Sequence, residues 1–488
     1  MKSLARSVFL AAASVAALGL AAKAATPPPK PNVIVIFTDD QGWGDLGCYG
    51  SPNLDTPHID RLAAEGMRFT NFYAAPFCGP SRAQLMTGCY ATRVNHARNP
   101  APNSNFGLNP AEITIAELLK SAGYATMMIG KWHLGDAPEL LPVRQGFDAW
   151  FGLPFSNDMW RYHPNMPVRD NEDALMRATR ERAAYTGFAG QGNPYPPAGG
   201  FPNDLPLMRN DRVVESNPDQ RQLTTRYTEA ALAFITAQKE KPFFLYLAHA
   251  MPHVPLFVSE KFAGKSKRGL YGDVMMELDW STGQIMAHLK ALGLDERTLV
   301  VFTSDNGPWL QYGVDGGSAG PLREGKGTTW EGGVRVPAIF RWPGKIPAGR
   351  RTGVVAANFD VLPTVARLAG AALPADRTLD GRDLWPVLSG ASDRSPRDHF
   401  HYLGGSALPT AVQYRAIRDD RWKLTVAIRD HRLAPAELYD LEADIGEKFD
   451  RLKQHPEIAA RLLPAAQAFY DELRANIRPA GRRAAATK

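Results

Sequence analysis

Four short apolar runs, each ending abruptly in polar chemistry, constrain this chain more than any other feature. Val33-Ile34-Val35-Ile36-Phe37 is continuous and β-branched, as a strand buried on both faces has to be, and it stops at Thr38-Asp39-Asp40. Ala125 to Ile129 ends in Gly130-Lys131-Trp132-His133. Phe243 to Leu247 leads to His249 and His253, and Leu299 to Phe302 ends in Thr303-Ser304-Asp305-Asn306-Gly307. Helical patterns fill the gaps. One covers 57–64 with Gly66 after it as a stop, and one opens at Thr114 with the Thr-x-x-Glu spacing of a capping box and ends near Gly123. Longer amphipathic stretches cover 222–239 and 273–292. Strands alternating with helices predict an α/β fold with a large central, mostly parallel sheet flanked by helices. Ligand sites in open α/β sheets lie beyond the carboxyl ends of the strands. Here four strands deliver carboxylates, an amide, Lys and His to that edge, which points to one polar site.

A chain of 488 residues exceeds one ordinary core, so a large domain and a smaller one are expected. Its 44% apolar and 22% charged content is that of a globular protein. The N-terminus reads as a secretory leader over 1–24. Lys2 and Arg6 supply charge, Val8 to Ala22 is apolar but short for a membrane span, and Ala22-Lys23-Ala24 is a small-x-small cleavage site. Export to the periplasm or the exterior, with no stable membrane anchor, is the expectation. Lys2, Arg6 and Lys23 account for three of the six net positive charges, leaving +3 on the rest of the chain. That is too little and too dispersed for a nucleic-acid partner. Three cysteines make a poor disulfide set. Cys48 and Cys89 are open to pairing, with two buried free thiols the favoured reading.

Asp39, Asp40, Asp305 and Asn306 are hard oxygen donors that suit Ca²⁺ or Mg²⁺ better than a thiophilic metal. Adjacent aspartates repel unless a cation lies between them, although each alone could simply cap a strand end. Pro80 suits the first turn of a helix. Cys78 would then sit at a helix N-terminus, where backbone N–H groups and the dipole favour an anion.

Cys78-Gly79-Pro80-Ser81-Arg82 fits Cys-x-Pro-Ser-Arg and continues through Gln84-Leu85-Met86-Thr87-Gly88. The stretch resembles the signature of the type I sulfatases, of the alkaline-phosphatase-like superfamily. In that family the Cys is oxidised after translation to Cα-formylglycine, whose hydrate is the nucleophile. Where the family usually has Arg after that Gly, this chain has Cys89. Ile36 to Gly47 resembles the family's metal loop, and Ser304 to Pro308 resembles its second half. Gly130 to Gly135 is similar to the family's Gly-Lys-Trp-His-Leu-Gly, and Met251 to Pro255 and Leu153 to Asp158 match further segments. Gly320 to Arg335 is the longest match and resembles the arylsulfatase A-like branch.

The resemblance implies hydrolysis of an aryl or carbohydrate sulfate ester. It implies one Ca²⁺ held by Asp39, Asp40, Asp305 and Asn306 together with the modified Cys78. Arg82 and Lys131 are implied to hold the hydrate, Asp305 to act as base for attack, and His133 to take the second proton. Lys326 and His253 are implied to serve the leaving oxygen, and Lys131, His253, Lys326 and Ser156 to contact substrate. A formylglycine-generating enzyme is the implied maturation partner. A hydrate can collapse and expel sulfate without a water attacking, which an ordinary Ser or Cys ester cannot do.

The resemblance covers most of Pro31 to Trp385. The expected layout is a catalytic domain at 25–390, a C-terminal α+β subdomain at 391–479 and a flexible tail at 480–488. The subdomain is expected to hold short strands in 414–424 and 437–441 and a helix at 456–477. The region 158–218 is rich in Pro, Gly, Asn and Arg, and its Trp160, Arg161, Tyr162 and His163 are types that could meet a sugar or aryl ring. Two other classes stay open from residues alone. One is a phosphatase or phosphonate hydrolase, although a two-zinc phosphatase would need more His and Asp ligands than a chain with 11 His readily offers. The other is a non-catalytic sulfated-glycan binder whose Cys78 remains a thiol.

Overall fold

The computed structural model describes residues 30–161, 203–404 and 412–484. The expected leader, Tyr162, His163 and the last four residues lie outside the described residues. The main sheet is built from β1 (Asn32–Thr38), β2 (Met67–Tyr73), β3 (Ala125–Gly130), β4 (Ala149–Gly152), β5 (Pro206–Arg209), β6 (Arg212–Ser216), β7 (Phe243–Ala248), β8 (Thr298–Ser304), β9 (Arg335–Arg341), β10 (Arg350–Thr352) and β11 (Ala356–Ala357). Its order is β10-β2-β9-β8-β1-β7-β3-β4-β5-β6, with β11 beside β2. The centre β8-β1-β7-β3-β4 is parallel, while β9 and β5 join its two sides antiparallel.

Register explains why the four apolar runs end at one place. Thr38 pairs with Ser304, Phe37 with Ala248, and Ala248 with Gly130. The residues that follow these strands therefore leave the sheet side by side. Side chains alternate between the two faces of a strand. Ile34 and Ile36 of β1 enter a core with the helices Pro57–Ala64, Leu223–Ala237 and Gly269–Ala291. Val33, Val35 and Phe37 enter a second core with Cys78–Thr87, Ile115–Ser121 and Val361–Ala369. Helices on both faces are the reason these strands carry no alternation of polar residues.

The capping box at Thr114 is present in full: its Oγ1 accepts from Glu117 N at 3.1 Å, and Glu117 Oε2 accepts from Thr114 N at 2.7 Å. The helix expected from Asp273 starts earlier, at Gly269. Asp273 instead caps the preceding loop, accepting N–H bonds from Gly264, Lys265 and Ser266 at 2.7, 2.9 and 2.6 Å.

The C-terminal part is a four-stranded antiparallel sheet in the order β12 (Phe400–Leu403), β13 (Tyr414–Arg418), β14 (Trp422–Arg429), β15 (Arg432–Asp440). The helix Pro456–Ala475 packs on it. The segment 414–424 is thus two strands separated by a turn, because Asp419 Oδ1 accepts from the N–H groups of Arg421 and Trp422 and reverses the chain. Part of the segment expected to be a flexible tail is held: Gly481 and Gly107 exchange backbone bonds of 2.9 and 3.2 Å. Cys48, Cys78 and Cys89 are all free thiols. Cys89 is buried and accepts from Arg478 Nη2 at 3.3 Å, a guanidinium also paired with Glu112. Among the described residues no helix is long and apolar enough to cross a membrane.

Candidate active site

The helix Cys78–Thr87 is buried along its whole length and points its first residue at the strand ends. Phe77 before it is extended, and Pro80 occupies a first-turn position where no N–H is needed. One donor of that turn is already used, since Gly79 N–H donates to Asn99 Oδ1 at 2.8 Å. Arg82, one turn on, donates from Nη1 to Lys131 O at 2.7 Å. Its Nη2 binds Asp39 Oδ2 at 3.0 Å and Asp305 Oδ2 at 2.9 Å.

The strand ends supply the rest. Asp40 turns the chain out of β1 with φ 63°. Gly130 ends β3 with φ 101°, and a Cβ there would lie 1.8 Å from Ala248 O, so only glycine fits. Lys131, next in the chain, ion-pairs with Asp39 and donates from Nζ to Ser156 Oγ at 3.0 Å. Beyond β7, His253 donates from Nδ1 to Val254 O at 2.5 Å and places Nε2 3.6 Å from Asp40 Oδ2. Beyond β8, Asp305 Oδ1 accepts from Asp40 N at 3.1 Å, and Asn306 Nδ2 donates to Asp40 Oδ1 at 2.7 Å. Lys326 Nζ lies 2.7 and 2.8 Å from the two Asp40 oxygens. Cys78 Sγ lies 3.3 Å from Asp39 Oδ1 and 3.9 Å from Asp40 Oδ1. His133 is buried, and neither ring nitrogen has a hydrogen-bond partner among the described residues.

Burial and neighbouring charge set the protonation states. Burial alone would raise Asp39, but Lys131 and Arg82 outweigh it and hold its carboxyl well below the usual range. Burial raises Asp40 despite Lys326, and burial with Asp39 beside it raises Asp305 to about 7. Burial and the Asp39 charge push the Cys78 thiol well up. Burial would lower Lys131 and Lys326, yet Asp39 and Asp40 respectively keep both ammonium groups charged. Burial, reinforced by the neighbouring lysines, holds His133 and His253 neutral.

The donor set fits a hard divalent cation. Oxygens of Asp39 and Asp40 lie within 4.8 Å of each other and of Cys78 Sγ and a His253 nitrogen, while Asp305 and Asn306 border this group through Arg82 and Asp40. Asn306 Oδ1 is buried with no hydrogen-bond partner, as an oxygen kept for a cation would be.

His249, which the sequence marks as a structural or pocket-wall residue and not as a ligand, and Trp160 lie away from this cluster. His249 is buried and faces the helices, with Nε2 3.4 Å from Ser281 Oγ and its ring 6.5 Å from that of Tyr227. Trp160 is fully buried and donates from Nε1 to Asn217 Oδ1 at 3.0 Å, so it packs in the core and offers no face to a sugar. Two others were not singled out. Asn99 carries no local signal at all. Trp309 directly follows Ser304-Asp305-Asn306-Gly307-Pro308, and that adjacency was its only signal. The Trp309 ring lies 5.5 Å from the His253 ring, with Lys326 Nζ 4.2 Å above it.

A family model described as Sulfatase matches residues 31–371. The chain belongs to the sulfatase family. A second model, N-sulphoglucosamine sulphohydrolase, C-terminal, matches residues 325–464 of this sulfatase. N-acetylgalactosamine-6-sulfatase of Canis lupus familiaris is 41% identical over 419 residues, covering 83% of this chain and 74% of the relative. Arylsulfatase A of Homo sapiens is 40% identical over 465 residues, covering 89% and 86%. The crystal structure of Ps i-CgsB in complex with k-i-k-neocarrahexaose matches with a TM-score of 0.74 at 32% identity, covering 92% of this chain and 94% of that one. The sulfatase is a sulfuric ester hydrolase.

Proposed function

We propose that this sulfatase removes sulfate from a sulfated carbohydrate, using an oxidised Cys78 and one Ca²⁺. The observation that carries the reading is the place of Cys78. Its side chain is buried at the start of a helix, 3.3 Å from Asp39 and 3.9 Å from Asp40, among Arg82, Lys131 and Lys326. Conversion of this side chain would put an oxygen nucleophile at the centre of that polar cluster. Formylglycine, once hydrated, supplies an oxygen nucleophile that also releases sulfate on collapse. Asp39, Asp40, Asp305 and Asn306 would hold the Ca²⁺, which would supply positive charge beside the nucleophile and the sulfate oxygens. The carbohydrate class is supported by the relative that acts on N-acetylgalactosamine 6-sulfate and by the structural neighbour with a bound neocarrahexaose.

The chain's own residues divide the remaining work. Arg82 and Lys131 hold positive charge against Asp39 at the base of the site, and Ser156 orients Lys131. They balance charge that develops on sulfate oxygens. Lys326 keeps its positive charge at Nζ and offsets the negative charge that develops on the leaving oxygen. His253 has its Nδ1 proton committed to Val254 O, so its neutral ring presents an unprotonated Nε2 and serves to orient. His133, neutral and with both nitrogens unengaged, accepts the proton that must leave the residue-78 side chain before sulfate is released. The same reading includes removal of the leader on export and maturation by a formylglycine-generating enzyme.

Mass spectrometry of the peptide containing residue 78 tests the reading. An aldehyde in active protein is expected, together with one calcium per chain by elemental analysis. Cys78→Ala should abolish turnover and keep the fold. An intact thiol in fully active enzyme would overturn the reading.

A further inference from the structure

The helix that begins at Cys78 has no cap of its own. Its N-cap residue is Phe77, which carries no side-chain oxygen to accept from the first turn. Pro80 has no N–H, and Ser81 N–H donates to Phe77 O at 3.0 Å. The cap comes from a distant segment: Asn99 Oδ1 accepts from Gly79 N–H at 2.8 Å, across 20 residues. The approach is close. A Cβ on residue 79 would lie 2.9 Å from Asn99 Oδ1 and 3.2 Å from the backbone oxygen of His133. Gly79 is thus wedged between Asn99 and the residue assigned to take a proton from position 78. The loop that carries Asn99 is itself held. The His96 ring stacks on Phe106 at 4.8 Å and 18°, the Arg98 guanidinium lies 4.4 Å over the same ring, and Gly107 pairs with Gly481.

We propose that Asn99 is a positioning residue for the nucleophile. It fixes the first helical turn, and with it the side chain at position 78, against His133, and it does so without bringing charge to a site that must admit a sulfate. The inference rests on the reading that residue 78 carries the nucleophile. Capping alone does not explain an amide here. A carboxylate accepts from N–H equally well and suits the positive end of a helix, so Asp would serve the helix as well as Asn. Asn99 is half-buried, and a carboxylate there would keep its charge. That charge would oppose a sulfate in a cluster that already holds Asp39, Asp40 and Asp305.

The test measures turnover of 4-nitrophenyl sulfate, inhibition by inorganic sulfate, thermal unfolding and the aldehyde content of residue 78 in wild type, Asn99→Ala and Asn99→Asp. Turnover is expressed per aldehyde, which removes any difference in conversion. Asn99→Ala should lower kcat per aldehyde about tenfold or more, with the sulfate inhibition constant within about twofold of wild type. Asn99→Asp should unfold at or above the wild-type temperature, keep most of kcat and bind sulfate about tenfold more weakly. That weakening should shrink in about 1 M sodium chloride. A kcat per aldehyde in Asn99→Ala equal to wild type would overturn the positioning role and leave Asn99 a structural cap. Unchanged sulfate inhibition in Asn99→Asp would overturn the charge argument, and that variant decides the matter if Asn99→Ala does not fold. Full activity in wild type that keeps a thiol at residue 78 would sink the nucleophile reading and this inference with it. Fully converted wild type with equal kcat in Asn99→Ala would sink this inference alone.

Discussion

Lys326 and His253 border the same carboxylate, yet the structure prepares them for different tasks. Lys326 stays charged between Asp40 and the Trp309 ring, whereas His253 is neutral with Nδ1 tied to the backbone. A sugar alkoxide needs its negative charge offset far more than an activated phenolate does. Lys326→Ala should therefore lower kcat for a sugar sulfate by a factor about ten or more larger than for an activated aryl sulfate. His253→Ala should show the same trend more weakly. Equal losses on both substrates in Lys326→Ala would place this lysine in plain sulfate binding. The site was legible at this scale wherever chemistry is concentrated in a short segment, as at Cys78 to Arg82 or Asp39-Asp40. Asn99 was not, because its contact with Gly79 N–H depends on tertiary approach and leaves no mark on neighbouring residues.

Elements whose signals are local were read from sequence with their ends nearly in place. The helix at Ile115 is one, because the capping box needs only Thr114 and Glu117. Thr114 Oγ1 also donates to Gln145 O at 2.8 Å, so the hydroxyl holds a helix start and a distant loop together. Thr114→Ala should cost about 1 to 2 kcal/mol in chemical denaturation, and Thr114→Ser should restore most of it. A Thr114→Ala protein as stable as wild type would show that the cap is dispensable. Asp273 shows where such reading fails. The residue suits a helix start, and its carboxylate instead closes the loop 264–266 from inside the helix. The antiparallel pairing of β8 with β9 and of β4 with β5 was equally out of reach, since strand direction follows from connections that periodicity does not encode.

At the scale of the molecule, one buried ionic cluster fastens the C-terminal sheet to the segment that carries Lys326. Glu331 accepts from Tyr73 at 2.7 Å, Tyr402 at 2.6 Å and Lys423 at 3.2 Å, and Lys423 also pairs with Glu447 at 2.7 Å. Burial would raise the Glu331 carboxyl, but Lys423, Arg335 and Arg418 outweigh it and hold it at about 2. A depressed carboxyl stabilises the fold above its unfolded value near 4.5, and that contribution is lost as pH falls toward 2. Glu331→Gln should thus destabilise the protein by roughly 3 kcal/mol at neutral pH. The gap to wild type should narrow between pH 4.5 and 2. A gap independent of pH would mean that Glu331 acts by shape and not by charge. None of this network could be read from the sequence, because its members come from segments far apart in the chain.

Burial of Cys78 also sets a clock. Its side chain is 1% exposed, and part of what encloses it arrives late: Arg82 meets Asp305 223 residues further on, and Lys326 comes later still. A ribosome adding about 5 to 20 residues per second needs roughly 10 to 45 s to cover that interval. If residue 78 is oxidised as proposed, the oxidising enzyme would have to reach it in this window, or on a chain kept unfolded afterwards. Docking of β8 beside β1 would bury the side chain. Maturation would then be a race between folding and modification, and a chain that folded first would stay a thiol.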